Sequence, residues 1–314
     1  MRYLLTFVLL VGMAVAQPQV HLDLVNDFRT RFSSAPMNSE IYSSSASLKV
    51  RVDDQWSGKL HGVRAWSEVR VIEAYIEGEK DGFAARAGRV RLPFGIYDHE
   101  ETYNSGLIYY PMARNDYAFI NLDWTAPGVY ARWNGGELQI EAAAQEGFAT
   151  SVWNTDHKME TQVARVQINP GDWIVGVSHW QGKFAQWPNG NQNVRAKVSG
   201  LDIRYSNSKL LVRGEVVSGK FLNPYRGAYV DLYYRVPGIE KLTLVGRLDY
   251  LDIGGGMEPG KMATIGARYV FSPNLMAAVN FRSHNGFPNR WMSWIPSTGG
   301  KQDVLFQLAY TISR

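Results

Sequence analysis

The 314-residue chain carries 33 Lys+Arg against 29 Asp+Glu, a formal net charge of +4, and contains no cysteine. So near a balance, with no dense basic run, excludes a nucleic-acid binder, and the lack of cysteine excludes disulfides, thiolate catalysis and Cys-ligated metals. Aromatic residues reach 13%, with 10 Trp and 17 Tyr, the types that gather where a membrane meets water.

The N-terminus combines Arg2, an apolar run from Leu4 to Val15, and the small-x-small triplet Ala14-Val15-Ala16. Those are the three parts of a secretory signal peptide, cleaved before Gln17. About a dozen apolar residues is too short for the ~20 of a spanning helix. Residues 1–16 are therefore expected to direct export and 17–314 to form one domain, since no linker or low-complexity run divides them. No later stretch reaches 18 continuous apolar residues, so a membrane would have to be crossed by strands.

From Gln17 onward the dominant period is two. Strands are predicted over 19–32, 40–52, 56–65, 68–78, 83–92, 118–133, 137–146, 159–168, 172–183, 193–205, 209–219, 227–236, 241–252, 261–271, 274–284 and 302–313. Short connections such as Lys80-Asp81-Gly82 and Asn134-Gly135-Gly136 supply residues that tolerate φ > 0. They alternate with longer ones near 93–117, 147–158, 184–192 and 285–300. Many strands exceed the usual length of about 5–6 residues and suit a tilted membrane strand of ~9–11 with overhang. The reading is an all-β fold: a transmembrane antiparallel β-barrel of about 16 strands, with short periplasmic turns and longer extracellular loops.

Within each strand one face is apolar and the other mixed. Leu242, Leu244, Gly246, Leu248 and Tyr250 oppose Thr243, Val245, Arg247, Asp249 and Leu251. Turning the polar faces inward lines the lumen with Arg89, Arg91, Arg132, Arg165, Arg204, Arg213, Arg235, Arg247, Arg268 and Arg282. Glu73, Glu77, Asp123, Glu137, Glu141, Asp202, Glu215, Asp231 and Asp249 nearly balance them. Rings of charge in a narrow lumen set ion selectivity, and guanidinium suits anion recognition. The plainer alternative is that most of these arginines pair with wall carboxylates and merely line the barrel.

Residues 93–117 break the alternation. Pro93 lacks the ladder donor, and a connection this long inside a compact domain is usually functional. It holds Asp98, Glu100, Glu101 and Asp116 against Arg114, a net of −3 with His99 neutral. An acidic loop folded inward against a basic strand end would polarise the lumen. Its tyrosines (97, 103, 109, 110 and 117) have two readings: stacking on a solute, or anchoring the loop to the wall. Four consecutive residues, Asp98 to Glu101, rarely converge on one ion, so no metal or cofactor is called.

The run Gly88-Arg89-x-Arg91-x-Pro93-Phe94-Gly95, preceded by Glu73-Ala74-Tyr75 and the Lys80-Asp81-Gly82 hairpin, resembles the phosphate-selective porin O/P group. That resemblance implies a sixteen-stranded channel for small solutes, often trimeric, with anion preference in its best-known members. The basic ladders that carry phosphate selectivity there have no residue-by-residue match in this chain.

The sequence thus points to an outer-membrane porin allowing passive diffusion of small polar solutes or ions. Its partners would be outer-membrane lipid and small solutes or anions, with a homotrimer implied by the resemblance alone. Three alternatives are a phosphate- or anion-selective channel, a barrel enzyme using His179 or His284, and a soluble secreted β protein. No nucleophile elbow, metalloprotease pair or phosphate-binding Gly-Lys loop occurs.

Overall fold

Alternating strands joined by tight turns can satisfy every backbone group inside a membrane only if the sheet closes on itself. The computed structural model describes residues 19–33, 38–65, 68–96, 105–108, 111–114, 125–146, 159–185, 193–220, 223–256, 258–285 and 302–313. Its strands are β1 (Gln19–Ser33), β2 (Asn38–Arg51), β3 (Trp56–Ala65), β4 (Glu68–Lys80), β5 (Phe83–Arg91), β6 (Thr125–Gly135), β7 (Leu138–Gln145) and β8 (Thr161–Ile168). They continue as β9 (Trp173–Ala185), β10 (Asn193–Ser206), β11 (Leu210–Lys220), β12 (Pro224–Arg235), β13 (Leu242–Asp252), β14 (Gly260–Ser272), β15 (Leu275–Asn285) and β16 (Gln302–Ser313).

Each strand pairs antiparallel with the next, and β1 pairs with β16 from Asp23↔Ser313 to Ser33↔Asp303. The barrel is closed, with the sixteen strands that the alternation predicts. Strand β6 begins at Thr125. The predicted strand residues 118–124, like the predicted signal segment 1–16, lie outside the described residues.

Burial settles which side of the wall faces lipid. The large aliphatics are the exposed residues, Leu248 and Ile265 each at 66%, while charged side chains such as Asp231 (0%) and Arg213 (1%) are buried. A soluble sandwich would show the reverse, with its apolar face buried. An exposed apolar band around a polar interior is the membrane-barrel arrangement. None of the described helices is long and apolar enough to cross a membrane.

Two local features trace directly to residues. Asp81 (φ 51°) and Gly82 (φ 79°) make the two-residue β4–β5 turn, a type I′ geometry matched to strand twist. Gly88 has φ 130°, and a Cβ there would lie 2.9 Å from Tyr75 Cα and against the Ala74 carbonyl. Only glycine lets β5 come this close to β4.

Candidate functional site

Strand β5 ends where Pro93 removes a donor, and the chain then enters the barrel. Gly95 N–H donates to Ser178 Oγ of β9 (3.1 Å). Asn280 of β15 grips the connection twice: its Oδ1 accepts from Ile108 N–H (2.9 Å), and its Nδ2 donates to the Gly106 carbonyl (2.8 Å). Met112 N–H donates to Asp249 Oδ1 (3.1 Å), and Tyr225 Oη donates to the Ala113 carbonyl (2.9 Å). Apolar side chains follow the same path. Leu107 packs with Tyr233 and Val245, and Ile108 with Ala278 and Leu305. All these partners face inward, so the described parts of the β5–β6 connection lie within the barrel against the β9–β16 wall.

Arg114 closes this segment on itself. It ends a single 3-10 turn, Met112–Arg114. Its Nη2 donates to the Phe94 carbonyl (2.7 Å), its guanidinium lies 5.1 Å from the Phe94 ring centre, and its Nε is 3.8 Å from Glu215 Oε2. One buried cation thus links Phe94, at the start of the connection, to the 3-10 turn and to Glu215 of the wall.

Under the connection the wall charges are paired. Asp231 sits between Arg213 (Nε to Oδ2, 3.0 Å) and Arg247 (Nε to Oδ1, 2.6 Å; Nη2 to Oδ2, 2.7 Å). Arg213 also donates to Tyr233 Oη at 2.7 Å. Arg282 forms a two-pronged pair with Asp303 at 2.8 and 2.6 Å, the planar fork geometry that favours Arg here. Arg165 grips Asp202 similarly and donates to Ser178 Oγ at 3.0 Å.

The wall from β3 to β7 is arranged differently. Lys59 Nζ is 2.9 Å from Glu73 Oε2, and Arg91 Nη2 lies 3.5 Å from the same oxygen and 3.4 Å from His61 Nδ1. Arg86 pairs with Glu77 and stands between the rings of Tyr75 (4.7 Å) and Tyr130 (4.8 Å). Tyr130 Oη donates to Glu141 at 2.5 Å, and Arg132 Nη2 to Glu79 Oε1 at 3.4 Å. In two of these pairs the base lies nearer solvent than its acid, Arg86 at 22% over Glu77 at 10% and Arg91 at 17% over Glu73 at 4%, whereas in Arg132–Glu79 the acid is the more exposed, 49% against 23%.

Of the residues singled out from sequence, Arg165, Arg213 and Arg247 are buried in ion pairs, and Arg114 is buried against Phe94 and Glu215. Arg91 and Arg132 are partly exposed on the β3–β7 wall. Arg89 donates to Thr125 Oγ1 at 3.0 Å, apart from the Glu73 cluster. Asp98, Glu100, Glu101 and Asp116 lie outside the described residues, as do the five tyrosines of the connection.

Sequence reasoning missed Arg86. It sits five residues from Arg91, and an odd spacing puts two side chains on opposite faces of a regular strand. Both nevertheless reach inward acids, Arg86 to Glu77 and Arg91 to Glu73. Lys59 and His61 were missed because Lys and His carry no strand-face signature of their own. Their inward position follows from register, His61 standing opposite Glu73.

A cavity of about 1010 Å³ lies at the short-turn end, bounded by the β10–β11 and β12–β13 turns with Ser105 among its lining residues. Five bases line it (Arg204, Lys209, Arg235, Lys241 and Arg268) with Glu240 as the one acid among the lining residues. Arg204 Nε is buried there with no hydrogen-bond partner among the described residues.

The anion-selective porin of Comamonas acidovorans superposes with a TM-score of 0.71 at 11% identity, covering 95% of this chain and 100% of that one. The fold is that of the outer-membrane porins. OmpT of Vibrio cholerae in its trimer form matches with a TM-score of 0.67 at 12% identity, covering 94% and 99% of the two chains. The outer membrane channel DcaP of Acinetobacter baumannii gives 0.64 at 10%, covering 95% and 98%. No family model matches the sequence, and no curated relative matches it. What these neighbours share with the chain is the barrel; the narrower likeness to the phosphate-selective group stays with the Gly88–Gly95 motif.

Proposed function

We propose that the protein is an outer-membrane porin through which small polar solutes diffuse passively, with a preference for anions. The observation that carries the reading is the lining of the short-turn cavity, five bases to one acid. A low-dielectric wall focuses such a charge excess and raises the local anion concentration. Along the β3–β7 wall the more exposed partner of Arg86–Glu77 and of Arg91–Glu73 is also the base. The anion-selective neighbour supports the same preference. The described parts of the β5–β6 connection occupy the β9–β16 side of the lumen and narrow it there, which sets the size limit.

Single-channel recording across a salt gradient tests the proposal. The zero-current potential should have the sign of anion preference and move toward zero in an Arg204→Ala/Arg235→Ala double variant. A cation-selective wild-type pore would sink it. Phosphate specificity, the narrower reading of the Gly88–Gly95 motif, requires in addition that chloride current saturate and be blocked as phosphate is added. The trimer form of the Vibrio cholerae neighbour supports a homotrimer, which cross-linking in detergent would show as a threefold ladder.

A further inference from the structure

On the outer surface, the apolar column of β13 runs from Leu242 through Leu244 and Leu248 to Tyr250 before Asp252 interrupts it. Ten residues at ~3.4 Å each give about 34 Å along the strand, or about 25 Å of height at the usual tilt, the full apolar band. On β10 the outward column Tyr205, Ile203, Leu201 gives way after six residues to Ser199, Lys197 and Arg195. That is about 20 Å along the strand, so the polar surface begins roughly 10 Å lower than on β13. Strand β9 changes at the same level, from Val177 to His179.

The polar surface is built around two lysines. Lys197 stands directly opposite Lys220 in the β10–β11 register, and Ser199 opposite Ser218. All four are exposed. Like charges directly opposite destabilise a strand pair, and neither lysine has a carboxylate partner among the described residues. His179 Nδ1 lies 2.9 Å from Ser199 Oγ. Arg195 lies two residues above Lys197, and Arg226 stands opposite Ser218. Two carboxylates flank the patch. Asp252 lies across from Arg226, its Oδ1 accepting from Gly254 N–H, and Glu160 lies two residues above Gln162. Four bases against these two acids leave an excess of positive charge, directly above exposed Val177, Leu201 and Val216.

We propose that this surface binds a phosphorylated membrane lipid in the leaflet at the long-connection end. Its headgroup phosphate bridges Lys197 and Lys220 and accepts from the Ser199 and Ser218 hydroxyls, while its acyl chains lie on Val177, Leu201 and Val216. A soluble anion would need no apolar floor, and a protein partner would not call for two facing lysines. The lysine pair supplies the attraction and the serines the geometry; together they select charge at the headgroup depth.

The proposal rests on the barrel standing in a membrane, which vesicle flotation checks separately: a protein that stays in the aqueous fraction overturns the location itself. For inserted protein, native mass spectrometry after incubation with phosphatidylglycerol or phosphatidylcholine reads the patch. Wild type should retain phosphatidylglycerol at least fivefold better than a Lys197→Gln/Lys220→Gln variant, and phosphatidylcholine equally poorly in both. A Ser199→Ala/Ser218→Ala variant, which leaves the lysines in place, should show an intermediate loss. Equal retention by all three overturns the proposal. So does displacement by millimolar inorganic phosphate, which would mark a soluble-anion site. A change of oligomer mass in the lysine variant with lipid retention unchanged would mark a protein interface and overturns it too.

Discussion

The two halves of the inner wall are built from the same residue types and end in different states. On the β9–β16 side, Arg213, Asp231, Arg247, Arg282 and Asp303 are paired and buried beneath the β5–β6 connection. On the β3–β7 side, Lys59, Arg86, Arg91 and Arg132 keep part of their surface exposed above more deeply set carboxylates or beside them. Charge identity therefore does not separate structural from functional arginines in a barrel. Coverage by the connection does. A buried pair holds the wall together, and a half-covered base acts on what passes.

The largest expected effect lies on the covered side. Asp231→Ala removes the carboxylate that sits between two buried guanidiniums, Arg213 and Arg247, with Asp249 farther off at 3.9 Å from Arg247, which should cost about 3–5 kcal/mol. The midpoint of urea unfolding in detergent micelles reads that loss, and the same substitution logic at the exposed Glu79, partner of Arg132, should shift the midpoint far less. Next comes Gly88→Val. Its Cβ meets the Ala74–Tyr75 backbone in a φ region that side chains rarely adopt, a strain of about 1–3 kcal/mol. It should weaken the barrel and pull Arg91 away from Glu73. Asn280→Ala follows, removing the side chain that accepts from the Ile108 N–H and donates to the Gly106 carbonyl, at about 0.5–1.5 kcal/mol for each hydrogen bond lost. Single-channel records should then show larger and noisier current; unchanged current would mean that this grip does not hold the connection in place.

The barrel was legible because strand alternation and turn chemistry are local. Leu242 to Leu251 declare their two faces in the sequence itself, and Asp81-Gly82 declares its turn. The distribution of charge between the walls was not legible. Arg213 and Arg91 look alike along the chain, yet one is buried under the described part of the β5–β6 connection and the other is half exposed. Asn280, which holds that path 172 residues away from Ile108, reads in sequence as one more polar residue on an alternating strand. Arg86 was hidden for a different reason: period-two counting from Arg89 and Arg91 puts it on the opposite face, yet it pairs with inward Glu77.

The smallest expected effect separates the walls most cleanly, because it leaves the fold alone. Arg91→Gln removes a partly exposed base whose acid, Glu73, keeps Lys59 at 2.9 Å. The barrel should therefore stay intact while the zero-current potential moves toward zero by a few millivolts, a fraction of the shift from removing two cavity arginines. Arg213→Gln is the control: its guanidinium is covered, so it should lower stability with little change in potential. An equal shift from both substitutions would mean that ions sense the buried network through the connection, and coverage would no longer distinguish the two walls. A shift confined to Arg91 adds the half-covered bases of β3–β7 to the cavity bases as groups that solutes meet.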